Sequence, residues 1–313
     1  MIKARALARR FDTPAGPVEA VRGVDLDIAA GELVGFLGPN GAGKTTTLRM
    51  LTTLLRPTQG SAVVAGCDLR ADPVGVRRRI GYVAQGGGTG PDYPVDTELR
   101  MQARFYGLPP AQAASRAAEL AEWFDLTDLM ALPTAALSGG QRRRLDLAMG
   151  LVHRPAVLFL DEPTAGLDPH SRANLWERIR DLRADLGTTV FLTTHYLDEA
   201  DVLCDRVLVI DQGRIVAQGS PDDLKRQVSG DTVVLTSAQA AAAAEVAGRL
   251  PGAHQVSVAD TAVRFHVPAG DTALPTLLRE LDQAEVELTS VQVHRPTLDD
   301  VFRALTGRSL GQD

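Results

Sequence analysis

A glycine-rich stretch between an apolar run and a helical pattern places the strongest constraint on how this chain folds. ELVGFLG at residues 32–38 is short, apolar and ends at glycine, whereas KTTTLRMLTTLL at 44–55 has helical spacing and stops before Pro57. Eight residues, GPNGAGKT at 38–45, run from the end of the apolar stretch into the start of the helical one. They fit the pattern G-x-x-x-x-G-K-[ST] without a gap. A buried strand, a tight glycine turn and a helix are therefore expected in succession, as in an α/β domain.

The side chains of this stretch have the chemistry of a phosphate-binding loop. Glycines let backbone N–H groups wrap closely around a phosphate, and the helix starting near Lys44 directs its positive dipole end at the same anion. Lys44 can reach β- and γ-phosphates, and the Thr45 hydroxyl is a ligand for Mg²⁺. The alternative, a coincidental glycine turn, leaves the flanking strand and helix unexplained. The predicted ATP-binding residues of the loop are Gly38, Pro39, Asn40, Gly41, Ala42, Gly43, Lys44, Thr45 and Thr46.

The first 220 residues alternate apolar strands with longer helical patterns. Apolar runs at 156–162 and 188–195 predict buried strands, and the amphipathic stretch between them predicts a helix. Residues 206–219 predict a hairpin around Gln212-Gly213. Residues 86–135 interrupt the alternation with a glycine-rich loop and helical stretches, which indicates a helical insertion. The pattern predicts a largely parallel sheet with helices on its faces.

The pattern changes after about residue 222. The remaining chain predicts strand, helix, strand, strand, helix and strand in that order, followed by a last helix in TLDDVFRALTG. This order is typical of a split βαβ, ferredoxin-like domain. We therefore predict two domains, 1–222 and a small α+β accessory domain at 223–313.

Two adjacent carboxylates follow the apolar strand predicted at 156–162. Ligands of an open parallel sheet bind at the carboxyl ends of its strands, where Asp161 and Glu162 are expected to lie. Asp161 is placed to hold Mg²⁺, and Glu162 is placed to polarise an attacking water as a general base. The alternative is a solvated acidic turn closed by the proline that follows.

Four further residues are weaker candidates when each is considered alone. Gln85 and His195 end predicted strands, where they can reach Mg²⁺, water or a γ-phosphate, although such residues are more often satisfied surface side chains. Asp168 either caps the helix after Pro169 or has a further role. Phe11 either stacks on a purine ring or belongs to the core.

Charge and composition exclude several classes of protein. The net charge of −6 argues against a protein whose main task is to grip nucleic acid. Two cysteines suggest neither a disulfide framework nor a metal site. The N-terminus lacks the apolar core of a signal peptide, and no run approaches 18 apolar residues. Any role at a membrane is therefore expected to depend on a partner.

A second serine–glycine stretch, ALSGG at 136–140, is followed by QRRRLDLAMG, which predicts a helix. A serine and two glycines before a helix are typical of an anion-binding site. The chain already has one such site in the loop at 38–45, so a second site within the same chain would be redundant. The three arginines at 142–144 are typical of a solvated helix face; the alternative is that one of them contacts a partner subunit.

These motifs occur in one order that resembles a known family. GPNGAGKTT, Gln85, LSGGQ at 137–141, LFLDE at 158–162, GLDP at 166–169 and His195 together resemble the nucleotide-binding subunit of ATP-binding cassette (ABC) transporters, over about residues 1–220. The resemblance implies an α/β P-loop NTPase fold of the ABC type, with a mixed sheet core and a helical subdomain at about 86–152. It also implies ATP and Mg²⁺ as cofactors and a homodimer that forms on ATP binding.

The resemblance implies a role for each matching position. Phe11 would stack on adenine, Glu162 would activate water, His195 would contact the γ-phosphate, and Gln85 would sense both Mg²⁺ and the membrane partner. Mg²⁺ would be bound by Thr45, Gln85 and Asp161. Asp168 would link the two active sites of a dimer. The residues that would cover ATP bound to the other subunit are Leu137, Ser138, Gly139, Gly140 and Gln141.

The closer resemblance is to ATPase subunits of the daunorubicin-resistance type, which serve drug exporters. QRRRLDLAMGLVHRP and RPTLDDVFRALTG are similar to that group, as is the extra C-terminal domain. It implies a separate ABC-2 type permease and a peripheral position on the cytoplasmic side of the cell membrane. The segment after Gln85, GGGTGPDYPVDTELRM, departs from the usual threonine-glycine-arginine-glutamate-asparagine-like run near the coupling contact. The alternatives are a subunit for lipid, polysaccharide or import transport, and a non-transport ABC ATPase.

Overall fold

The computed structural model describes residues 1–228 and 230–307, which separate into two compact units between Ser220 and Pro221. The first unit contains ten strands and seven α-helices among its described residues. In chain order they are β1 (Ile2–Thr13), β2 (Gly16–Ile28), β3 (Leu33–Leu37), α1 (Lys44–Leu51), β4 (Gln59–Val64), β5 (Cys67–Asp68), α2 (Pro73–Arg79), β6 (Ile80–Val83), α3 (Val95–Phe105), α4 (Pro110–Trp123), α5 (Gly139–Gly150), β7 (Val157–Asp161), α6 (Pro169–Leu186), β8 (Thr189–Thr194), α7 (Leu197–Leu203), β9 (Arg206–Asp211) and β10 (Arg214–Gly219).

A six-stranded sheet forms the centre of the first unit, with the order β10-β9-β3-β8-β7-β6. Five strands are parallel and β10 pairs antiparallel with β9 as the predicted hairpin. Every residue of β3, β7 and β8 is buried, and these strands share one core cluster with helix α1 and strands β1, β2 and β4. Phe36, Phe159 and Phe191 pack together from these three strands, with ring centroids 5.6 and 5.7 Å apart. The carboxyl ends of β3, β7 and β8 therefore meet at one edge, as the sequence predicts.

The first 28 residues depart from the predicted alternation of strands and helices. Strands β1 and β2 form a long antiparallel pair, and β4 and β5 complete a second sheet with the order β2-β1-β4-β5. One face of this sheet is apolar through Ile2, Ala4 and Leu7, which join the main core. Register shifts between Ala4 and Leu7 break the period of two, and this irregularity obscures the strand pattern in the sequence. The core is consequently mixed, with parallel and antiparallel sheets.

Helices α3, α4 and α5 form the predicted helical region after Gln85. Helix α4 buries Ala113, Ala117 and Leu120, which recur at helical spacing. Helix α5 starts after Ser138, whose side chain accepts a hydrogen bond from the Gln141 backbone while Gln141 reaches back to the Ser138 backbone. This capping box satisfies two backbone donors and fixes where the helix begins.

The second unit contains α8 (Pro221–Arg226), β11 (Asp231–Thr236), α9 (Ala240–Arg249), β12 (His254–Ala259), β13 (Ala262–Val267), α10 (Gly270–Gln283), β14 (Ser290–His294) and α11 (Leu298–Thr306). Its antiparallel sheet has the order β12-β13-β11-β14, and α9 and α10 cover the face that carries Val233, Leu235 and Phe265. This is the ferredoxin-like arrangement that the sequence predicts. Because α8 belongs to this unit, we propose that the C-terminal domain begins at Pro221 rather than at residue 223.

Both cysteines are free and buried. Cys204 follows α7 and lies against Gly35 of β3, where a Cβ atom would come within 2.6 Å of its Sγ. Burial raises the pKa of the Cys204 thiol well above its ordinary value, so little thiolate forms at neutral pH.

We expect the native protein to react with a thiol reagent such as DTNB at least about tenfold more slowly than free cysteine, because the thiolate is the reactive form. Unfolding in guanidinium chloride should release both thiols to rapid reaction, as absorbance at 412 nm will report. Rapid reaction of one thiol per native chain would contradict the buried position of the cysteines.

Candidate active site

A buried lysine lies at the centre of the phosphate-loop region. Lys44 is the first residue of α1 and its side chain is only 4% exposed. Its Nζ donates hydrogen bonds to the carbonyl oxygens of Gly38 (2.7 Å) and Pro39 (3.0 Å), and it lies 3.4 Å from Oε1 of Glu162. Burial lowers the pKa of Lys44, while the charges of Glu162 and Asp161 oppose that shift. The ammonium group is therefore held across its own loop, facing the carboxylates at the end of β7.

The backbone of the loop requires glycine immediately before Lys44. Gly43 has a φ of +104°, and a Cβ atom at this position would lie 2.5 Å from the carbonyl oxygen of Ala20. Any larger residue would push the loop away from β2. Glycine therefore permits the close turn that brings the start of α1 to the end of β3.

Asp161, the last residue of β7, joins two hydroxyl groups. Its Oδ1 accepts hydrogen bonds from Oγ1 of Thr45 (3.0 Å) and from Oγ1 of Thr193 (2.7 Å), and the carboxylate is buried. The predicted metal-binding residues Thr45 and Asp161 therefore stand side by side. Carboxylate and hydroxyl oxygens are hard donors of the kind that Mg²⁺ prefers, so this pair fits that metal.

Glu162 occupies the middle of the site in a strained conformation. Its φ of +47° lies in the left-handed region, which costs a non-glycine residue about 1–2 kcal/mol. The backbone N–H of Glu162 donates to both the carbonyl oxygen and Oγ1 of Thr193, each at 3.1 Å. These bonds hold the turn, which directs the carboxylate back toward the phosphate loop.

The Glu162 carboxylate meets two of the other predicted residues. Nε2 of Gln85 donates to Oε2 at 2.9 Å, and Nδ1 of His195 lies 3.3 Å from Oε1 without hydrogen-bond geometry. Gln85 follows β6 and His195 follows β8, so three strand ends converge on one carboxylate. The arrangement places an amide, an imidazole and an ammonium group around one carboxylate, which suits attack of water on a phosphoryl group.

The remaining predicted residues lie outside this cluster. Phe11 is half-buried on β1, and the guanidinium of Arg9 lies 4.6 Å from its ring centroid. Ser138, Gly139 and Asp168 are exposed, whereas Leu137 is buried. Asp168 caps α6 by accepting hydrogen bonds from the backbone and hydroxyl of Ser171, which lower its pKa.

The signature stretch, residues Leu137–Gln141, and Asp168 lie next to each other in the same chain. A Cβ atom on Gly140 would come within 2.8 Å of Oγ of Ser171, so α5 and α6 start in close contact. The side chains of Ser138 and Gln141 bond to each other's backbone: Oγ of Ser138 accepts from the Gln141 N–H, and Oε1 of Gln141 accepts from the Ser138 N–H. Ser138 and Gly139 thus form an exposed patch with Asp168, separate from the Glu162 cluster.

Sequence reasoning missed two residues of the site. Thr193 is buried and bonds both Asp161 and the Glu162 backbone, but no motif distinguishes it from other strand threonines. Arg143 is also buried, so the prediction of a solvated face is wrong for this arginine, although Arg142 beside it is exposed. Its spacing of four and seven residues from Leu147 and Gly150, both buried, was the available signal.

Comparison with known proteins agrees with this geometry. Residues 21–165 match the family model described as "ABC transporter", and residues 219–306 match "ATP-binding protein DrrA1-3-like, C-terminal domain". Daunorubicin resistance ATP-binding protein DrrA2 of Streptomyces coeruleorubidus is 44% identical over 315 residues, covering 98% of this chain and 95% of that protein. The chain belongs to the ATP-binding proteins of ABC transporters.

The ABC protein has further relatives of the same kind. Daunorubicin/doxorubicin resistance ATP-binding protein DrrA of Streptomyces peucetius is 43% identical, covering 92% of this chain and 88% of its own. The dimeric structure of MJ0796, a bacterial ABC transporter cassette, superimposes with a TM-score of 0.65 at 24% identity and covers 70% of this chain and 98% of that one. The predicted ABC fold and ATPase activity are confirmed. Among the described residues, no helix of this ABC ATPase is long and apolar enough to cross a membrane.

Proposed function

We propose that this ABC ATPase powers efflux of a drug, antibiotic or other hydrophobic compound through a separate ABC-2 type permease. The observation that carries the proposal is the convergence of Lys44, Gln85, Asp161, Glu162 and His195 at one edge of the sheet. The names of the daunorubicin-resistance relatives and the DrrA-like C-terminal domain support a drug as cargo. In this proposal the subunit lies on the cytoplasmic side of the membrane, held there by the permease.

Each residue of the cluster has one task in the proposed hydrolysis. Lys44 exchanges the carbonyl oxygens of Gly38 and Pro39 for phosphate oxygens, and the loop amides hold the same phosphates. Glu162 accepts a proton from the attacking water, and His195 donates a hydrogen bond to the γ-phosphate. Mg²⁺, held by Thr45, Asp161 and Gln85, would neutralise the charge of the β- and γ-phosphates when bound. Catalysis is then mainly positioning and electrostatic stabilisation.

The exposed patch formed by Ser138–Gly140 and Asp168 supports a head-to-tail dimer. In this proposal the patch covers ATP held by the partner, so a symmetric pair contains two ATP molecules between its subunits. Phe11 stacks on adenine from the first subunit, on the ring face away from Arg9. ATP then acts as part of the interface, and loss of the γ-phosphate weakens the dimer.

The permease is proposed to bind beside the segment that follows Gln85. Phe105, the last residue of α3, is 82% exposed and borders a groove of about 350 Å³ whose walls include Arg100 and Met101. Exposure of so much apolar surface to water is energetically unfavourable, and an exposed aromatic side chain is typical of a contact with another protein. The groove lies on the helical region, close in sequence to the loop that carries Gln85.

Substitution of Phe105 by Asp should prevent coupling to the permease. We expect F105D to retain ATP binding but to lose drug resistance in a sensitive host that co-expresses the permease, because a charge replaces the apolar contact. The measurement is the minimal inhibitory concentration of daunorubicin, compared with the control L54D at another exposed apolar position, Leu54. Resistance equal to wild type in F105D would place the permease contact elsewhere. No resistance from the wild-type pair would reject this drug as cargo.

A further inference from the structure

One buried arginine connects the signature helix to both catalytic segments. Arg143, on the second turn of α5, is 6% exposed and donates to the main-chain carbonyl oxygens of four residues. Nε bonds Pro163 (2.6 Å), Nη1 bonds Ala84 (2.6 Å), and Nη2 bonds Asp161 (3.1 Å) and Glu162 (3.3 Å). A single planar guanidinium thus joins the residue before Gln85 to the turn that carries Glu162.

Asp146, one turn further along the same face of α5, holds the other end of the Gln85 loop. Its carboxylate faces the backbone of Gly87 and Gly88, and a Cβ atom on Gly87 would lie 3.3 Å from its Oδ2. Oδ2 is also 3.8 Å from Nη1 of Arg143. The loop therefore contacts α5 on both sides of Gln85, at Ala84 and at Gly87.

The charges of Arg143 and Asp146 stabilise the attachment of the Gln85 loop to α5. Burial raises the pKa of Asp146, and the Arg143 guanidinium and the Gly88 backbone oppose that rise. Removing either partner leaves the other charge buried and unpaired, which is strongly unfavourable. Because the pair is buried, the attraction between its two charges is also stronger than it would be in water.

We propose that Arg143 and Asp146 are positioning residues that set the distance between Gln85 and Glu162 and tie it to the position of α5. The hydrogen bond from Gln85 to Glu162, 2.9 Å long, lies between the two backbone segments that Arg143 holds. Helix α5 begins at the signature stretch, so contact of that stretch with a partner's ATP shifts the geometry around the chain's own Glu162. The inference rests on the proposed roles of Glu162, Gln85 and the signature stretch.

The test is ATP hydrolysis by the full chain in which Arg143 is replaced by Met. We expect R143M to lower kcat by about 10- to 100-fold, since small misplacements of catalytic groups have effects of that size. The affinity for a fluorescent ATP analogue should change less than about twofold, because Arg143 does not touch the phosphate loop. R143K should recover little activity, since an ammonium group cannot reach all four carbonyl oxygens. The control R142Q, at the exposed neighbouring arginine, should hydrolyse ATP at the wild-type rate.

The outcomes separate this inference from the proposed function. Wild-type kcat in R143M, with E162Q inactive, would overturn the positioning role and leave the proposed function standing. An active E162Q would instead reject the proposed base, whatever R143M does. A parallel fall of kcat and nucleotide affinity in R143M would show a merely structural role and overturn the inference. Should R143M fail to fold by circular dichroism, D146N decides in its place: the same selective loss of kcat supports the inference, and a wild-type kcat overturns it.

Discussion

Replacing Glu162 with Gln should stop ATP turnover while ATP still binds. We expect kcat for phosphate release to fall by about 10²–10⁴-fold, the range typical for loss of a general base. Glutamine has nearly the same shape, so the turn at φ +47° and its two hydrogen bonds to Thr193 remain. The amide, however, cannot take a proton from water. Lys44 and the loop backbone, which we propose to hold the phosphates, are not substituted.

The measurement combines phosphate release with equilibrium binding of a fluorescent ATP analogue. The matched control is E32Q, because Glu32 precedes the amino end of β3, opposite the phosphate loop, and pairs with Arg206. E32Q should hydrolyse ATP at close to the wild-type rate. Normal hydrolysis by E162Q would remove Glu162 from the role of base. Loss of ATP binding in E162Q would mean that the carboxylate acts mainly by holding Lys44.

Replacing Ser138 with Arg should abolish the ATP-dependent dimer. The long cationic side chain would enter the space that the proposed dimer leaves for the partner's γ-phosphate, so we expect ATP to bind the monomer without producing dimers. ATPase activity should fall by at least about 100-fold, as for loss of a hydrogen-bond donor to a developing oxyanion. Size-exclusion chromatography with and without ATP, in the E162Q background, measures the dimer directly.

The structure shows that this substitution needs a control for helix capping. Ser138 caps α5 through Gln141, so replacement by Arg removes a cap worth about 1 kcal/mol. S138A loses the same cap without adding bulk. We expect S138A to melt at the same temperature as S138R and to retain at least part of the ATP-dependent dimer. Equal loss of the dimer in both variants would assign the effect to capping, and a monomer that hydrolyses ATP at full rate would reject the in-trans role.

Much of the fold follows from local patterns. The apolar strands β3, β7 and β8 and the loop between β3 and α1 are visible because each is a continuous run with a clear ending. The βαββαβ order of the second unit is visible for the same reason. Strands β1 and β2 were not predicted, since bulges between Ala4 and Leu7 interrupt the alternation that identifies a strand.

The candidate site was predictable in part. Lys44, Asp161 and Glu162 belong to contiguous motifs beside strand ends, where the chemistry of a parallel sheet is expected. The contact from Gln85 to Glu162 joins residues 77 apart, and that from Thr45 to Asp161 joins residues 116 apart, so neither distance follows from spacing. The sequence predicts a solvated position for Arg143 because a charged run is usually exposed, whereas packing of the core buries it.

The sequence by itself determined which chemical groups the protein has and which strands and loops present them. A glycine that fits a tight turn, an apolar run and a capping serine act on their immediate neighbours, so adjacent residues suffice to recognise them. The tertiary structure decided which of these groups meet. The strand order β3-β8-β7-β6 brings three strand ends to one carboxylate, and the rotation of α5 in the packed core directs Arg143 inward and leaves Arg142 in water. Both depend on contacts between distant segments, whose relative positions are set only when the whole core packs.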